Sequence, residues 1–371
     1  MTPYLIIFAV AVVVAVTATP LAARLARLAG IVDQPTARKI HVTPTPLLGG
    51  VAIFASALVA AAVVVWLTVA LGVRFAATAL FNWPELIGDQ AMALLAGATL
   101  MAAVGIVDDR RPLPWVAKLL AQVAAACILW RFEIQIRSLT WDPYNLTNFA
   151  ATVLWVVTVT NAINFLDNMD GLSAGIVAVM ASFFFLLAAL SGQVIVAGVS
   201  IALAGACVGF LRYNFNRASI FMGDAGTLFL GFCLAALGIK LRFDNAAFVT
   251  WMIPILVLGL PLFDITLVVV SRLRHGLSPT TAGKDHVSHR LVALGLTRRE
   301  AVLTLYLVCC VLGMAALVVM YAPVSDGYIV GGLVLAVALY AYYRLERVSD
   351  RVYPARRAGE TMTAFDSSSR P

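Results

Sequence analysis

Long apolar segments alternate with short polar ones along most of the chain. Each apolar segment is close to 20 residues long, the length at which an α-helix crosses a hydrocarbon layer of ~30 Å. Because lipid offers the backbone no hydrogen-bond partners, helices are the expected spanning structure. The pattern predicts an all-α, polytopic integral membrane protein with about 11 transmembrane helices, at residues 4–28, 48–71, 90–107, 114–130, 148–166, 172–190, 193–211, 225–239, 248–271, 300–321 and 327–343.

The composition is that of a membrane protein. Of the 371 residues, 62% are hydrophobic and 12% are charged, and the mean hydropathy of +0.94 lies far outside the globular range. In the first segment Arg24 and Arg27 follow the apolar stretch and no basic residue precedes it, so we expect a retained span rather than a signal peptide. The five cysteines fall inside predicted spans, without the spacing of a zinc site or a disulfide framework.

Basic residues are unevenly divided between the two sides of the predicted bundle. With the N-terminus outside, the inner loops and tail carry 20 Lys and Arg residues and the outer loops carry five. The positive-inside rule favours this orientation, which puts the C-terminus in the cytoplasm and the protein in the inner (plasma) membrane. Topology and contact with anionic lipid then explain the net charge of +7, and no nucleic-acid partner is implied. We divide the chain into a transmembrane domain, 1–348, and a polar tail, 349–371, that we expect to be disordered.

Five aspartates lie at or just inside the cytoplasmic ends of predicted spans: Asp108, Asp109, Asp167, Asp170 and Asp224. Asp167 and Asp170 are three residues apart in NAINFLDNMDGLSAG, 161–175, so on a helix they would share one face, with Asn164 one turn earlier. A cluster of carboxylates repels itself and therefore implies a cation. Hard oxygen ligands without cysteine favour Mg²⁺ or Mn²⁺.

Glycines and basic side chains accompany these acids on the same side. Asp224 lies between Gly223 and Gly226 at the mouth of a span, where helix N-terminal amides favour an anion. The last large inner loop adds Arg272, Arg274, Lys284, His286, His289 and Arg290. The positive-inside rule explains each arginine, but it does not require two histidines three residues apart. Carboxylates, a divalent ion, basic groups and helix N-termini together describe a diphosphate site.

Five stretches, in order from about residue 30 to residue 291, resemble the motifs of the polyprenyl-phosphate N-acetylhexosamine-1-phosphate transferases. They are DQPTARKIHVTPTPLLGG, GIVDDRRPLP, NAINFLDNMDGLSAG, NFNRASIFMGDAGTLFLG and RLRHGLSPTTAGKDHVSHRL. The resemblance implies that the phosphate of an undecaprenyl-type lipid attacks the β-phosphorus of a UDP-amino sugar. The products are a lipid diphosphosugar and UMP, and the reaction begins the synthesis of envelope glycans such as lipopolysaccharide or teichoic acid.

The same resemblance implies roles for individual residues. The aspartate of FMGD, a magnesium ligand in the family, corresponds to Asp224, and the DD pair corresponds to Asp108 and Asp109. Implied nucleotide, diphosphate and uracil contacts are Asn164, Asp167, Asp170, Asn214 and Phe221. We add His286 and His289 as catalytic groups, and Lys39, Arg272 and Arg274 as substrate-binding groups.

Two positions depart from the family pattern. HVSH has Ser288 where a histidine is common, so no role of that histidine can be carried over. Arg217 stands where proline is frequent. The stretch RKIHVTPTPLLGG, 38–50, resembles the GlcNAc-transferring branch more than the GTPTMGG of the lipid I enzyme. Lipid I synthesis from UDP-MurNAc-pentapeptide is therefore the alternative reaction.

Asp108 and the ninth predicted span each allow more than one interpretation. A phosphate monoester is mostly dianionic at pH 7, since its second pKa is ~6, so we expect Asp108 to position the lipid phosphate rather than to act as base or nucleophile. Asp264, inside the ninth span, would either contact a ligand or pair with Arg272 or Arg274. Pro254 and Pro261 predict a bend in that span.

A membrane transporter is the rival from another class. Transporters usually place ionisable residues near the bilayer midplane, whereas the aspartates of this chain gather at one interface. The sequence does not specify the oligomeric state, for which a homodimer is one option.

Overall fold

The computed structural model describes residues 2–34, 44–70, 88–137, 145–243, 247–281 and 283–348. Lys39, the first half of the RKIHVTPTPLLGG stretch and the tail 349–371 lie outside the described residues. The helices are α1 (Thr2–Leu28), α2 (Gly49–Ala70), α3 (Asp89–Arg110), α4 (Trp115–Arg131), α5 (Leu146–Leu166), α6 (Leu172–Leu190), α7 (Val194–Asn214), α8 (Gly223–Lys240), α9 (Ala247–Val257), α10 (Gly259–Arg274), α11 (Val287–Ala293), α12 (Arg298–Tyr321) and α13 (Val324–Glu346). Two short antiparallel strands, β1 (Val32–Asp33) and β2 (Thr45–Pro46), pair between α1 and α2.

The prediction of an all-α, multi-pass membrane protein is confirmed. Among the described helices, eight are long and apolar enough to cross a membrane, and α9 with α10 makes a ninth if the pair is one span. Each of the eleven predicted segments overlaps a helix or this pair. The count of eleven and the orientation of the termini remain predictions.

The predicted ninth span, 248–271, is broken rather than continuous. Helices α9 and α10 meet at Leu258 with a bend of 73°. Pro261 has no backbone N–H to continue the helical hydrogen bonds across this junction, and its ring would clash with the preceding turn. The bend predicted from Pro254 and Pro261 is therefore present.

Helix α8 forms the centre of the bundle, with 89% of its 18 residues buried. Glycines let its neighbours approach closely. A Cβ on Gly50 of α2 would lie 2.1 Å from the Gly226 nitrogen, and one on Gly105 of α3 would lie 2.3 Å from the Ala225 nitrogen. Small residues at helix contacts are typical of membrane bundles. The packing presses the first turn of α8, which carries Asp224, against the ends of α2 and α3.

Candidate active site

A cavity of about 900 Å³ opens at one end of the bundle. Its walls come from the C-terminal ends of α3, α5 and α7 and from the N-terminal ends of α8 and α12. Among the lining residues are Asp33, Asp109, Asp167, Asp170, Asn214, Arg217, Phe221, Asp224, Lys284, His289, Arg298 and Arg299. The cavity therefore brings together seven of the predicted site residues, from loops far apart in sequence.

Asp109 caps the N-terminus of α8. Its Oδ1 accepts a hydrogen bond from the Asp224 backbone N–H at 2.8 Å, and its Oδ2 accepts one from Ala225 at 3.0 Å. Gly223 precedes them with a φ of +71°, and a Cβ there would lie 2.5 Å from Asp109 Oδ2. The anion that we expected at this helix terminus is thus supplied within the chain, by Asp109.

Lys118, on α4, bridges two of the predicted aspartates. Its Nζ lies 3.1 Å from Asp108 Oδ2 and 3.1 Å from Asp224 Oδ2. The other oxygen of Asp108 accepts a hydrogen bond from the Leu113 N–H at 2.7 Å. Asn164 Nδ2 donates to Asp224 Oδ1 at 2.9 Å. The carboxylate of Asp224 is therefore held by an ammonium group on one side and an amide on the other.

Asp167 and Asp170 do not share a helix face, because α5 ends at Leu166 and both lie in the turn before α6. The prediction of a common helix face was wrong, because the backbone leaves the helical conformation at Asp167, where ψ is +56°. Asp170 Oδ2 accepts a hydrogen bond from the Ala218 N–H at 3.0 Å, and Asn214 Oδ1 accepts one from the Gly171 N–H at 3.0 Å. These bonds fix the turn against the segment that follows α7.

The charge state of Asp167 depends on its surroundings. The side chain is exposed to the cavity, yet the surrounding protein desolvates it, and the carboxylates of Asp224 and Asp170 lie nearby. The desolvation first, and then these two charges, raise its pKa to about 7. At neutral pH the Asp167 carboxyl is therefore partly protonated and partly ionised. A cation in the cavity would favour the ionised form.

Asp264 is fully buried and holds the loop that precedes α11. Its Oδ2 lies 2.8 Å from His286 Nδ1, and its Oδ1 accepts a hydrogen bond from the Val287 N–H at 2.7 Å. The expectation that Asp264 pairs with Arg272 or Arg274 was therefore wrong. His286 is the N-cap residue of α11, and the loop that carries it folds back onto Asp264 of α10.

Arg272 and Arg274 also make contacts other than those we expected. Arg272 is buried, and it donates to both carboxylate oxygens of Asp285 at 2.7 and 2.8 Å and to the Pro279 carbonyl at 2.6 Å. Arg274 is exposed and lies 3.8 Å from Glu346. Neither arginine lines the cavity, and Arg272 stabilises the loop between α10 and α11.

Of the two predicted histidines, only His289 lines the cavity, whereas His286 is buried against Asp264. Burial of His289, followed by repulsion from His286 and Lys284, lowers its pKa to about 4. At pH 7 the imidazole of His289 is neutral, so it can offer a hydrogen bond to a ligand but no positive charge.

We expect Asp264→Ala to lower the melting temperature of the purified protein, because it leaves the His286 ring and the Val287 N–H without their buried acceptor. Each such loss costs ~1–3 kcal/mol of the free energy of unfolding. Thermal denaturation in detergent measures the effect. Asp326→Ala, at an exposed acid of α13, is the matched control, and equal melting temperatures for the two variants would contradict the structural role of Asp264.

Basic residues form another wall of the cavity, and of these only Lys284 had been proposed from the sequence as part of the site. Arg217, Lys284, Arg298 and Arg299 all line the cavity. Arg298 and Arg299 begin α12, directly after the N-cap Thr297, which forms a reciprocal capping box with Glu300. A capping box is recognisable in sequence, and it would have placed both arginines at a helix N-terminus.

The backbone conformation at Arg217 explains one departure from the family pattern, the absence of the frequent proline at this position. Arg217 follows Asn216, and both residues have left-handed backbones, with φ of +76° and +50°. Proline is restricted to φ near −65° and could not adopt this conformation. Arg217 therefore replaces the frequent proline at a position whose backbone conformation proline cannot adopt. In this conformation Arg217 lines the cavity.

Known proteins align with most of this chain. Residues 91–242 match the family model described as glycosyl transferase family 4. A Bacillus subtilis (strain 168) protein named "Probable undecaprenyl-phosphate N-acetylglucosaminyl 1-phosphate transferase" is 32% identical, over 85% of this chain and 85% of its own. The decaprenyl-phosphate N-acetylglucosaminephosphotransferase of Mycobacterium leprae (strain TN) is 31% identical, over 92% of this chain and 90% of its own. The undecaprenyl-phosphate alpha-N-acetylglucosaminyl 1-phosphate transferase of Escherichia coli (strain K12) is 25% identical, over 86% and 85%.

The matched region coincides with the acidic side of the cavity. It contains the DD pair, the turn after α5 and the first turn of α8. The resemblance seen in the motifs is confirmed by alignments that cover most of both chains. The chain therefore belongs to glycosyl transferase family 4, the family of the polyprenyl-phosphate N-acetylglucosamine 1-phosphate transferases with which it aligns.

Proposed function

We propose that this enzyme transfers N-acetylglucosamine 1-phosphate from UDP-GlcNAc to a polyprenyl phosphate, forming a lipid diphosphosugar and UMP. The observation that carries the proposal is the cavity at the helix ends, with acids on one wall and basic side chains on another. Both substrates are anions, one dissolved in water and the other in lipid, and they can meet only at such a boundary. In our topology the cavity opens to the cytoplasm from the inner membrane.

A divalent cation, Mg²⁺ or Mn²⁺, is part of the proposal. Among the described residues, no three acid, histidine or cysteine side chains are arranged around one metal position. Mg²⁺, however, is usually held by one or two carboxylates together with water and substrate phosphates. Asp224 and Asp167 both line the cavity, and Lys118 offsets only part of the charge of the aspartates. These groups fit a divalent ion whose remaining ligands come from water and from the substrate phosphates.

The side chains of the cavity can then be given roles. Asp224, with Asp167 close by, would hold the cation, which when bound neutralises charge on the diphosphate. Arg298 and Arg299 supply fixed positive charge for the UDP-sugar, and Phe221 offers an aromatic face for uracil. His289, neutral at pH 7, can donate or accept one hydrogen bond. Asp108 positions the lipid phosphate through its link to Lys118 and Asp224.

Mass spectrometry of the lipid product tests the proposed reaction. Purified protein would be given undecaprenyl phosphate, Mg²⁺, and a mixture of UDP-GlcNAc and UDP-MurNAc-pentapeptide. We expect a lipid diphosphate that carries GlcNAc. A product carrying MurNAc-pentapeptide would replace the proposal by lipid I synthesis. Uptake of intact UDP-sugar into proteoliposomes, without any lipid product, would indicate a transporter.

We expect Arg298→Ala/Arg299→Ala to raise KM for the UDP-sugar with a smaller change in kcat. A hydrogen bond to a charged group contributes ~1.5–3 kcal/mol, so the loss of one phosphate contact would raise KM about tenfold or more. Steady-state kinetics at saturating lipid phosphate measure the change. Arg347→Ala, on the same side of the bundle but outside the cavity lining, is the control. An unchanged KM in the double variant would remove the arginines from the substrate site.

A further inference from the structure

A second, smaller pocket of about 220 Å³ lies beside the end of α1. Arg24, Arg27 and Pro20 of α1 form one side, and Tyr213, Ser219 and Ile220 form the other. It shares no lining residue with the main cavity. Its volume is far below that of the cavity proposed for the nucleotide sugar, and it is suited to a phosphate-sized group.

The pocket has two positive charges and no acid in its lining. Arg24 and Arg27 are three residues apart on α1 and both are exposed. In the part of the chain that the structure describes, no carboxylate forms an ion pair with either arginine. The planar guanidinium group matches the geometry of phosphate oxygens. The charge therefore favours an anionic headgroup over a zwitterionic one, whose cation would find no partner here.

The surface next to the pocket is apolar. Leu21, Leu25 and Leu28 of α1 are 57%, 60% and 85% exposed, and their spacing puts them along one side of the helix. A free phosphate ion would gain nothing from contact with this apolar surface. The acyl chains of a phospholipid would contact the leucines while its phosphate contacts the arginines. Basic side chains at such helix ends extend toward the membrane interface, where the phosphates of the lipids lie.

The far wall of the pocket is continuous with the active site. Ser219 and Ile220 directly precede Phe221, which lines the main cavity. Ser219 is held by hydrogen bonds to the Tyr213 carbonyl, and the Ile220 carbonyl accepts one from Asn214 at 3.0 Å. An occupant of the pocket would therefore restrict the segment 215–222 that carries Phe221 and leads into Asp224.

We propose that this pocket binds the phosphodiester headgroup of an anionic phospholipid, and that the bound lipid stabilises the segment between α7 and α8. The site is distinct from that of the proposed reaction and takes a lipid that is not consumed. Binding holds Phe221 and the start of α8 in place, so it raises the melting temperature and supports turnover.

Lipid binding can be tested on the full chain in nanodiscs of phosphatidylcholine, alone or mixed with phosphatidylglycerol. Native mass spectrometry measures the lipid retained, and thermal denaturation without UDP-sugar measures stability. We expect the wild type to retain phosphatidylglycerol preferentially and to melt at a higher temperature in its presence. Arg24→Gln/Arg27→Gln should lose both effects, and each single variant should lose part of them.

A matched control distinguishes a built site from general surface charge. Arg344 and Arg347 have the same spacing at the inner end of α13, where their guanidinium groups contact Tyr340 and Tyr343. Arg344→Gln/Arg347→Gln should keep the preference for phosphatidylglycerol, and loss of that preference would overturn the proposal. So would an equal rise in melting temperature with inorganic phosphate, which would indicate an anion site without lipid. These readouts need no turnover, so they stand even if the proposed reaction fails.

Discussion

Replacing Asp224 by asparagine is expected to reduce kcat by about 10³-fold, the upper end of the range for losing one preorganised electrostatic contact in an active site. Asparagine keeps the size of the side chain and can still accept a hydrogen bond, but it removes the charge that would hold the cation. Asp167 lies close by, but Asp224 is the carboxylate that Asn164 and Lys118 hold in position. Release of labelled UMP across a range of Mg²⁺ concentrations measures the effect.

The control for this experiment is Asp326→Asn, which removes an exposed carboxylate from the first turn of α13. It should retain normal turnover and normal Mg²⁺ dependence. Substantial Mg²⁺-dependent activity in Asp224→Asn would remove Asp224 from the metal site. A normal melting temperature for the variant shows that the loss is not due to unfolding.

Replacing Lys118 by methionine is expected to have the second-largest effect, a loss of about 10²-fold in kcat. Its ammonium group is shared equally between Asp108 and Asp224, at 3.1 Å from each. Without it the two carboxylates repel each other in the metal-free protein, and Asp108 loses its link to the cavity. Lys118→Arg, which keeps the charge, should retain much more activity than Lys118→Met.

A second readout tests this role of Lys118 without turnover. Added Mg²⁺ should raise the melting temperature of Lys118→Met more than that of the wild type, because the ion then offsets repulsion that the lysine normally relieves. An identical Mg²⁺ response in the two proteins would show that Lys118 does not balance the charge of these aspartates.

The helices were predictable from the sequence because the length of an apolar run is a local property. The predicted segments 172–190 and 90–107 correspond to α6 and α3, and Pro254 with Pro261 indicated the bend. That Asp167, Asp224 and Phe221 meet in one cavity also followed, since the topology puts their loops on one side of the membrane.

Contacts between distant residues could not be predicted in the same way. Asp109 caps a helix that begins 114 residues later, at Gly223, and Lys118 reaches Asp224 across 106 residues. No local pattern indicates such a partner. The pairing of Asp264 with His286 has the same origin, because it depends on how the loop between α10 and α11 folds back onto α10.

The arginines of the basic wall were missed for another reason. Arginines on the inner side of a membrane protein already have an explanation in topology, so Arg298 and Arg299 did not stand out by charge. Their position at the start of a capped helix is the signal that distinguishes them. Arg217 has no comparable signal, since its left-handed backbone is visible only in the folded chain.

In the proposed reaction a sugar and its phosphate move together from nucleotide to lipid in this cavity. The most direct test uses UDP-GlcNAc labelled with ³²P at the β-phosphorus, followed by extraction of the lipid. We expect the label to enter the organic phase only when polyprenyl phosphate and Mg²⁺ are both present, with unlabelled UMP left in the water. Label that stays in water as UDP while the sugar moves to lipid would contradict the proposed reaction.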